Sequence, residues 1–259
     1  MRRRKKAEHI PIHSIGMCSR ACSTGEGVSV KTSPNAQFNT AAPDSLAMRV
    51  STMVRRDMFH MFMSELQPTA NDLVLDAGVT SDQSLENSNY FEALYPHRQQ
   101  IVAAGLQDAA FLETLYPGVR YLRANVLELP FADQSFDLVH SSAVLEHVGS
   151  LTNQARMISE CLRVARRGVC LTTPNRWFPI EFHTQLPLVH WLPKTAARPI
   201  FRLLGFAELA QERNLNLMTA SELKTITTGL AGFHFRIATA SLLGWTSNLI
   251  LFGRRATQG

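Results

Sequence analysis

Leu73-Val74-Leu75-Asp76-Ala77-Gly78 is an almost continuous apolar run that ends in an acid and a glycine. Four runs of the same kind follow, QIVAAG (100–105), VRYLRA (119–124), FDLVHSS (136–142) and GVCLTT (168–173), with helical spacing between them near 88–95, 108–115 and 151–166. Strands this apolar are covered on both faces, and strands alternating with helices are joined by crossovers. The pattern therefore predicts a doubly wound α/β fold with a parallel sheet. Ligands of such sheets sit beyond the carboxyl ends of the strands, which points to the loops after 76, 105, 124 and 141. Upstream, Pro43-Asp44-Ser45 offers a turn and a cap to a helix over about 45–66, with Leu46, Val50, Val54, Met58, Met61, Phe62 and Leu66 at helical spacing.

Beyond the fifth run the rhythm changes. Residues 174–217 interleave Pro174, Pro179, Pro187, Pro193 and Pro199 with Trp177, Phe178, Phe182 and Trp191, which reads as a lid inserted over the strand ends. Thr219 to Glu222 is a capping box that opens a helix, and FHFRIATA (233–240) with WTSNLILFG (245–253) forms a closing pair of strands. The 259 residues carry a net charge of +5, yet residues 1–31 hold seven Lys/Arg against two acids, so the remainder is neutral. Residues 1–42 read as a disordered basic leader, removable without loss of fold, ahead of one domain over 43–259. A neutral body offers no phosphate-binding stripe, and no nucleic-acid partner is expected. No apolar run reaches the roughly 18 residues of a membrane span, no secretory leader is legible, and four cysteines are too few for a disulfide framework, so cytoplasmic residence is expected. Cys18 and Cys22 lack the third ligand of an iron–sulfur run, since position 25 is Gly25.

The run at 136–142 belongs to a longer stretch, LPFADQSFDLVHSSAVLEHV (129–148). Val74–Gly78, Leu129–Val139 and Leu145–Val148, in that order, resemble the class I S-adenosylmethionine-dependent methyltransferases, in particular their type-11 branch known from bacteria; the resemblance covers about 45–259. It implies a Rossmann-like fold with a mostly parallel sheet, S-adenosylmethionine as cofactor, and methyl transfer as the activity. Position by position, it implies that Asp76 and Gly78 lie by the methionine portion and its loop. Gln107 stands where the family usually has an acid on the ribose hydroxyls. Asn125 stands where an Asp usually meets the adenine amino group, with Val126 supplying an amide, and Ser141 and Ser142 lie near the methyl donor. The glycine loop departs from the family, because Thr80 and Asp82 replace two of its three glycines and side chains there reach positive φ less cheaply. Either residues 87–96 build a modified pocket, which is the reading preferred here, or the site has decayed.

A second cluster lies in TTPNRWFPIEFHT (172–184). Glu181 and His183 hang over the strand ends, near the loop that carries His147. Glu181 with His147 or His183 could position a nucleophile and remove its proton; His147 is the better base because an imidazole titrates near neutrality, with Glu181 orienting the acceptor or a ring. The competing reading has Glu181 and His183 satisfying buried loop backbone. Glu181, His183 and His190 match no closed zinc spacing, so no metal is expected. Apolar residues with interspersed bases over 186–206 form either the lid's own core or a peripheral membrane contact. The expected acceptor is an oxygen or nitrogen of a small or lipid-linked molecule. The rival from another class is a non-catalytic binding or assembly module, favoured by the missing glycines. A nicotinamide-dependent oxidoreductase lacks its GxGxxG here.

Overall fold

The computed structural model describes residues 46–83 and 88–256, so the leader read over 1–42 lies outside the described residues. Seven strands form one sheet in the order β3-β2-β1-β4-β5-β7-β6. In chain order they are β1 (Val74–Ala77), β2 (Ile101–Gly105), β3 (Arg120–Arg123), β4 (Phe136–Ser142), β5 (Ala165–Pro174), β6 (Phe233–Leu242) and β7 (Trp245–Arg255). The first five are parallel, with Asp76 level with Ala103 on one side and His140 on the other. β7 runs antiparallel against β5, pairing Phe252 with Cys170, because a two-residue turn at Leu243 and Gly244 reverses the chain out of β6.

Each face of the sheet carries its own apolar layer, as alternating side chains require. Leu75, Val139 and Leu171 face Met157, Ile158 and Cys161 of α4 (Leu151–Val164), whose first turn is capped by the Ser150 hydroxyl accepting from the Asn153 amide at 3.2 Å. Val74, Leu138 and Cys170 face α1 (Leu46–Leu66) and α2 (Tyr90–Leu94). Here α1 buries Val54, Met58, Phe62 and Leu66, a spacing of four that keeps one stripe inward. The short α3 (Phe111–Leu115) completes the crossover to β3.

The segment read as a lid leaves the sheet at Asn175 and returns beside it at Met218, where the two residues form a bridge. Within it, α5 (Lys194–Leu203) closes over a small core of Phe201, Leu209, Ala210, Leu215 and Leu217. The apolar stretch over 186–206 thus supplies the lid's core through Phe201, while Leu203 and Leu204 stay exposed. The predicted capping box opens α6 (Ala220–Thr228), with both of its reciprocal hydrogen bonds made.

Candidate active site

β1 ends on Asp76 and turns at Gly78, whose φ of +104° and close neighbour both demand glycine: a Cβ there would lie 2.3 Å from Val144 Cγ2. The amides of Gly78 and Val79 both donate to the Ala104 carbonyl, at 2.6 and 3.1 Å. Asn89 then holds the loop from the other side. Its Oδ1 accepts from the Thr80 amide at 3.0 Å and its Nδ2 donates to the Thr80 carbonyl at 3.1 Å, while the Thr80 hydroxyl takes the Asp82 amide. Among the described residues of this loop, Gly78 alone has positive φ. Thr80 and Asp82 therefore impose no backbone strain, and Asn89, within the 87–96 segment, shapes the loop.

Under that loop lies a buried polar network. His140 Nδ1 meets Asp76 Oδ1 at 2.7 Å, and Tyr90 donates its hydroxyl to His140 Nε2 at 3.2 Å. Glu92 is fully buried beside Asp76. Burial raises both carboxyls above the ordinary range, Glu92 further because Asp76 is near; burial likewise lowers His140 to about 3, so the ring is neutral. A cavity of about 60 Å³ remains between Asp76, Gly78, Thr80, Tyr90, His140 and Ser142. That is room for about two waters.

The other predicted cofactor positions divide. Gln107 is half-buried at the end of β2, its Oε1 accepting from the Ser81 hydroxyl at 2.7 Å. Asn125 is exposed past β3, where its Oδ1 caps the Leu127 amide at 3.0 Å, and Val126 packs into the core. Ser142 borders the cavity and bonds Thr172 Oγ1 at 2.9 Å. Ser141 is a correction. It points to the opposite face and donates to the Ala77 carbonyl at 2.5 Å, because successive residues of a strand alternate sides.

On the α4 face of the same carboxyl edge, a one-turn 3-10 helix (Leu145–His147) presents Glu146 and His147 to the lid. His183 lies between the two residues expected to share a site. Its Nε2 is 3.2 Å from His147 Nε2, and its Nδ1 is 2.6 Å from Glu181 Oε1. Glu181 also takes the His183 and Thr184 amides, so it is engaged in the loop and with the ring at once. Burial works to raise Glu181, but the neighbouring His183 and these bonds outweigh it and hold the carboxyl at about 2.

Burial, then the charge of His183, lower His147 to about 4, away from the neutrality expected of it as a base. His190 is also apart from the cluster, its Nε2 bonded to the Phe178 carbonyl at 2.7 Å. Glu146, which the sequence reading passed over, is the missing member. It is fully buried, accepts from the Thr173 hydroxyl at 2.9 Å through Oε2, and burial raises it to about 7. Its signal in the sequence was only adjacency to His147. None of these four residues borders the cavity beside Asp76.

Five parallel strands with their order reversing between β1 and β4, closed by an antiparallel β7, define the class I methyltransferase fold. Residues 82–172 match the family described as a methyltransferase domain, type 11. A protein of Mycobacterium tuberculosis, named as a probable S-adenosylmethionine-dependent methyltransferase, is 38% identical over 82 residues, which is 30% of this chain and 29% of that one. Another from Mycolicibacterium smegmatis is 42% identical over 69 residues, 26% of each chain. The match thus spans less than a third of the length of these curated relatives. Among solved structures, the Burkholderia thailandensis 1,6-didemethyltoxoflavin-N1-methyltransferase superposes with a TM-score of 0.53 at 15% identity, covering 80% of each chain. Magnesium protoporphyrin IX methyltransferase from Synechocystis gives 0.51 at 15% identity over 85% of this chain and 88% of that one. The chain thus shares the fold of solved class I methyltransferases, and its residues 82–172 are similar to a methyltransferase domain.

Proposed function

We propose that this chain transfers a methyl group from S-adenosylmethionine to an oxygen or nitrogen of a small or lipid-linked acceptor. The carrying observation is the arrangement of Asp76, the Gly78 turn and the Ser142 end of β4 at the switch point of the sheet, where ligands of this architecture bind. Gln107 and Asn125, both reachable from solvent, suit the ribose and adenine; both offer donor and acceptor atoms. The space beside Asp76 is small for the methionine end, and movement of Asn89 and Tyr90 away from Thr80 and His140 would enlarge it. Bound there, the cofactor supplies a sulfonium methyl. The chain's part is to hold the acceptor in line and keep water out. Glu146, His147, His183 and Glu181 receive the acceptor's heteroatom at the edge where the lid meets the strands. Exposed Trp177, Ile180 and Leu188 of the lid, with Trp245 at the start of β7, offer apolar surface suited to a lipid-linked acceptor.

The closed loop, with its amides satisfied internally, favours the rival reading of a non-catalytic module. Isothermal titration with S-adenosylmethionine and with its demethylated product decides between them. Binding of both supports the enzyme; no heat for either, with the protein folded, leaves the module.

A further inference from the structure

We propose that Glu146, His147 and His183 form a binding site for one divalent transition-metal ion, with Zn²⁺ the fitting kind. His147 Nδ1 lies 2.7 Å from the Asn214 carbonyl, which can only accept, so that nitrogen carries the ring's hydrogen. His183 Nδ1 faces the Glu181 carboxylate at 2.6 Å and carries its hydrogen for the same reason. The two Nε2 atoms then face one another across 3.2 Å: in the metal-free chain the His183 ring, held above its ordinary range by Glu181 although burial works to lower it, donates to His147, and an ion would take the place of that hydrogen. Glu146 Oε1 is buried, accepts no hydrogen bond, and lies 4.0 Å from His147 Nε2. The three atoms lie within 4.8 Å of one another. A buried carboxylate oxygen with no hydrogen-bond partner beside two imidazole nitrogens is costly unless something positive sits against it.

The spacing fits an ion. Two nitrogens bound at about 2.0–2.1 Å stand about 3.3 Å apart in a tetrahedron and about 2.9 Å in an octahedron, which brackets the observed pair. The Glu146 carboxylate has to swing in by roughly an ångström to complete the set. Every ligand is also braced from behind: His147 by a carbonyl, His183 by a carboxylate and Glu146 by the Thr173 hydroxyl, the outer bonds that metal-binding side chains ordinarily have. Two imidazoles and one carboxylate suit Zn²⁺, Mn²⁺ or Fe²⁺ better than Mg²⁺ or Ca²⁺. His147 and His183 keep 28% and 12% of their side chains exposed, so one side of the site is open to solvent. A water or the acceptor's oxygen takes that open position; this last role rests on the methyl-transfer reading, whereas the site itself does not.

The test uses the full chain, stripped with chelator and dialysed, titrated with Zn²⁺ and separately with Co²⁺ as a spectroscopic probe. We expect one ion per chain, a raised melting temperature, and a visible Co²⁺ spectrum without a thiolate charge-transfer band, which sets this site apart from Cys18 and Cys22. His183→Gln and Glu146→Gln should each weaken binding by 100-fold or more, and Glu181→Gln, which keeps all three ligands, by about 10–100-fold. Circular dichroism confirms that each variant is folded, and His147→Gln stands in for any that is not. No bound ion in the wild type, or binding that all the variants retain, overturns the proposal. Titration of the metal-free protein with S-adenosylmethionine tests the methyl-transfer reading separately, since neither result depends on the other.

Discussion

Glu92 and Asp76 are two acids enclosed where one would already be costly. Arg55 from α1, Tyr90 from α2, His140 from β4 and Cys170 from β5 surround them, and His140 is neutral, so the network contains no imidazolium to hold two negative charges. Both carboxyls are raised, Asp76 to about 7, against roughly 4 for such groups in the unfolded chain. Between those values the native state binds more protons than the unfolded one. The stability this contributes is therefore complete below about pH 4 and is lost as pH rises through the native values. Melting temperature should fall from pH 5.5 to pH 8.5, and Glu92→Gln, which keeps the shape and removes an ionisation, should flatten the fall. At pH 8.5 the variant should melt higher than wild type, by roughly 2–4 °C for each kcal/mol recovered. An unaltered pH profile in Glu92→Gln would show that the pair is not what titrates. Gly78→Ala tests a different residue-level demand. Left-handed backbone and contact with Val144 together should cost about 1–3 kcal/mol in chemical unfolding, part of it restored by Val144→Ala.

At the scale of elements, the strands and their connecting helices were legible because their signals are local: apolar runs of strand length, an acid–glycine turn, a capping box at Thr219. α5 was not, since Pro199 inside it argues for a break, and the lid's packing of Phe201 and Ala197 overrides that cue. The cluster at the lid was half legible. Glu181, His183 and His147 were read as neighbours, but which ring bonds which acid depends on the 3-10 turn at Leu145–His147, and no spacing announces it. Ser141 failed for want of register, since one residue decides the face. The changed glycine loop was legible as a departure, and its compensation by Asn89 was not, because that contact joins a loop to the turn before α2. Asn89→Ala should remove both bonds to Thr80 and lower stability by about 1–3 kcal/mol. If the clamped loop is the state that excludes the cofactor, the same substitution should tighten S-adenosylmethionine binding by enlarging the competent fraction. Weaker binding would mean that Asn89 belongs to the bound site.

For the molecule as a whole, the sheet carries two extensive apolar layers while the lid has a small core of its own, and that inequality fixes what moves first. The lid is tied back through few groups. Asn216 donates from Nδ2 to the Gly149 carbonyl at 2.6 Å, accepts from Lys194 Nζ at 2.6 Å, and sends its amide to the Glu146 carbonyl at 2.7 Å. Gln154 from α4 reaches the Asn216 carbonyl at 2.7 Å, so one buried residue joins the lid to the helix and to the 3-10 turn that carries Glu146. No helix among the described residues is long and apolar enough to cross a membrane, which leaves the lid's exposed Leu203 and Leu204 as surface rather than span. Native-state hydrogen exchange should find the amides of α5 opening at lower free energy than those of β4 and β5. Asn216→Ala should widen that difference, because it removes side-chain bonds that hold the lid and none that hold the sheet. Mass action gives the complementary result: an ion bridging His183 of the lid to Glu146 and His147 of the body would protect α5 and leave the sheet amides unchanged. Exchange of lid and sheet at one common free energy, in wild type and in Asn216→Ala alike, would make the lid part of the global unit. Entry to the strand ends would then have to come through the Asn89 loop instead.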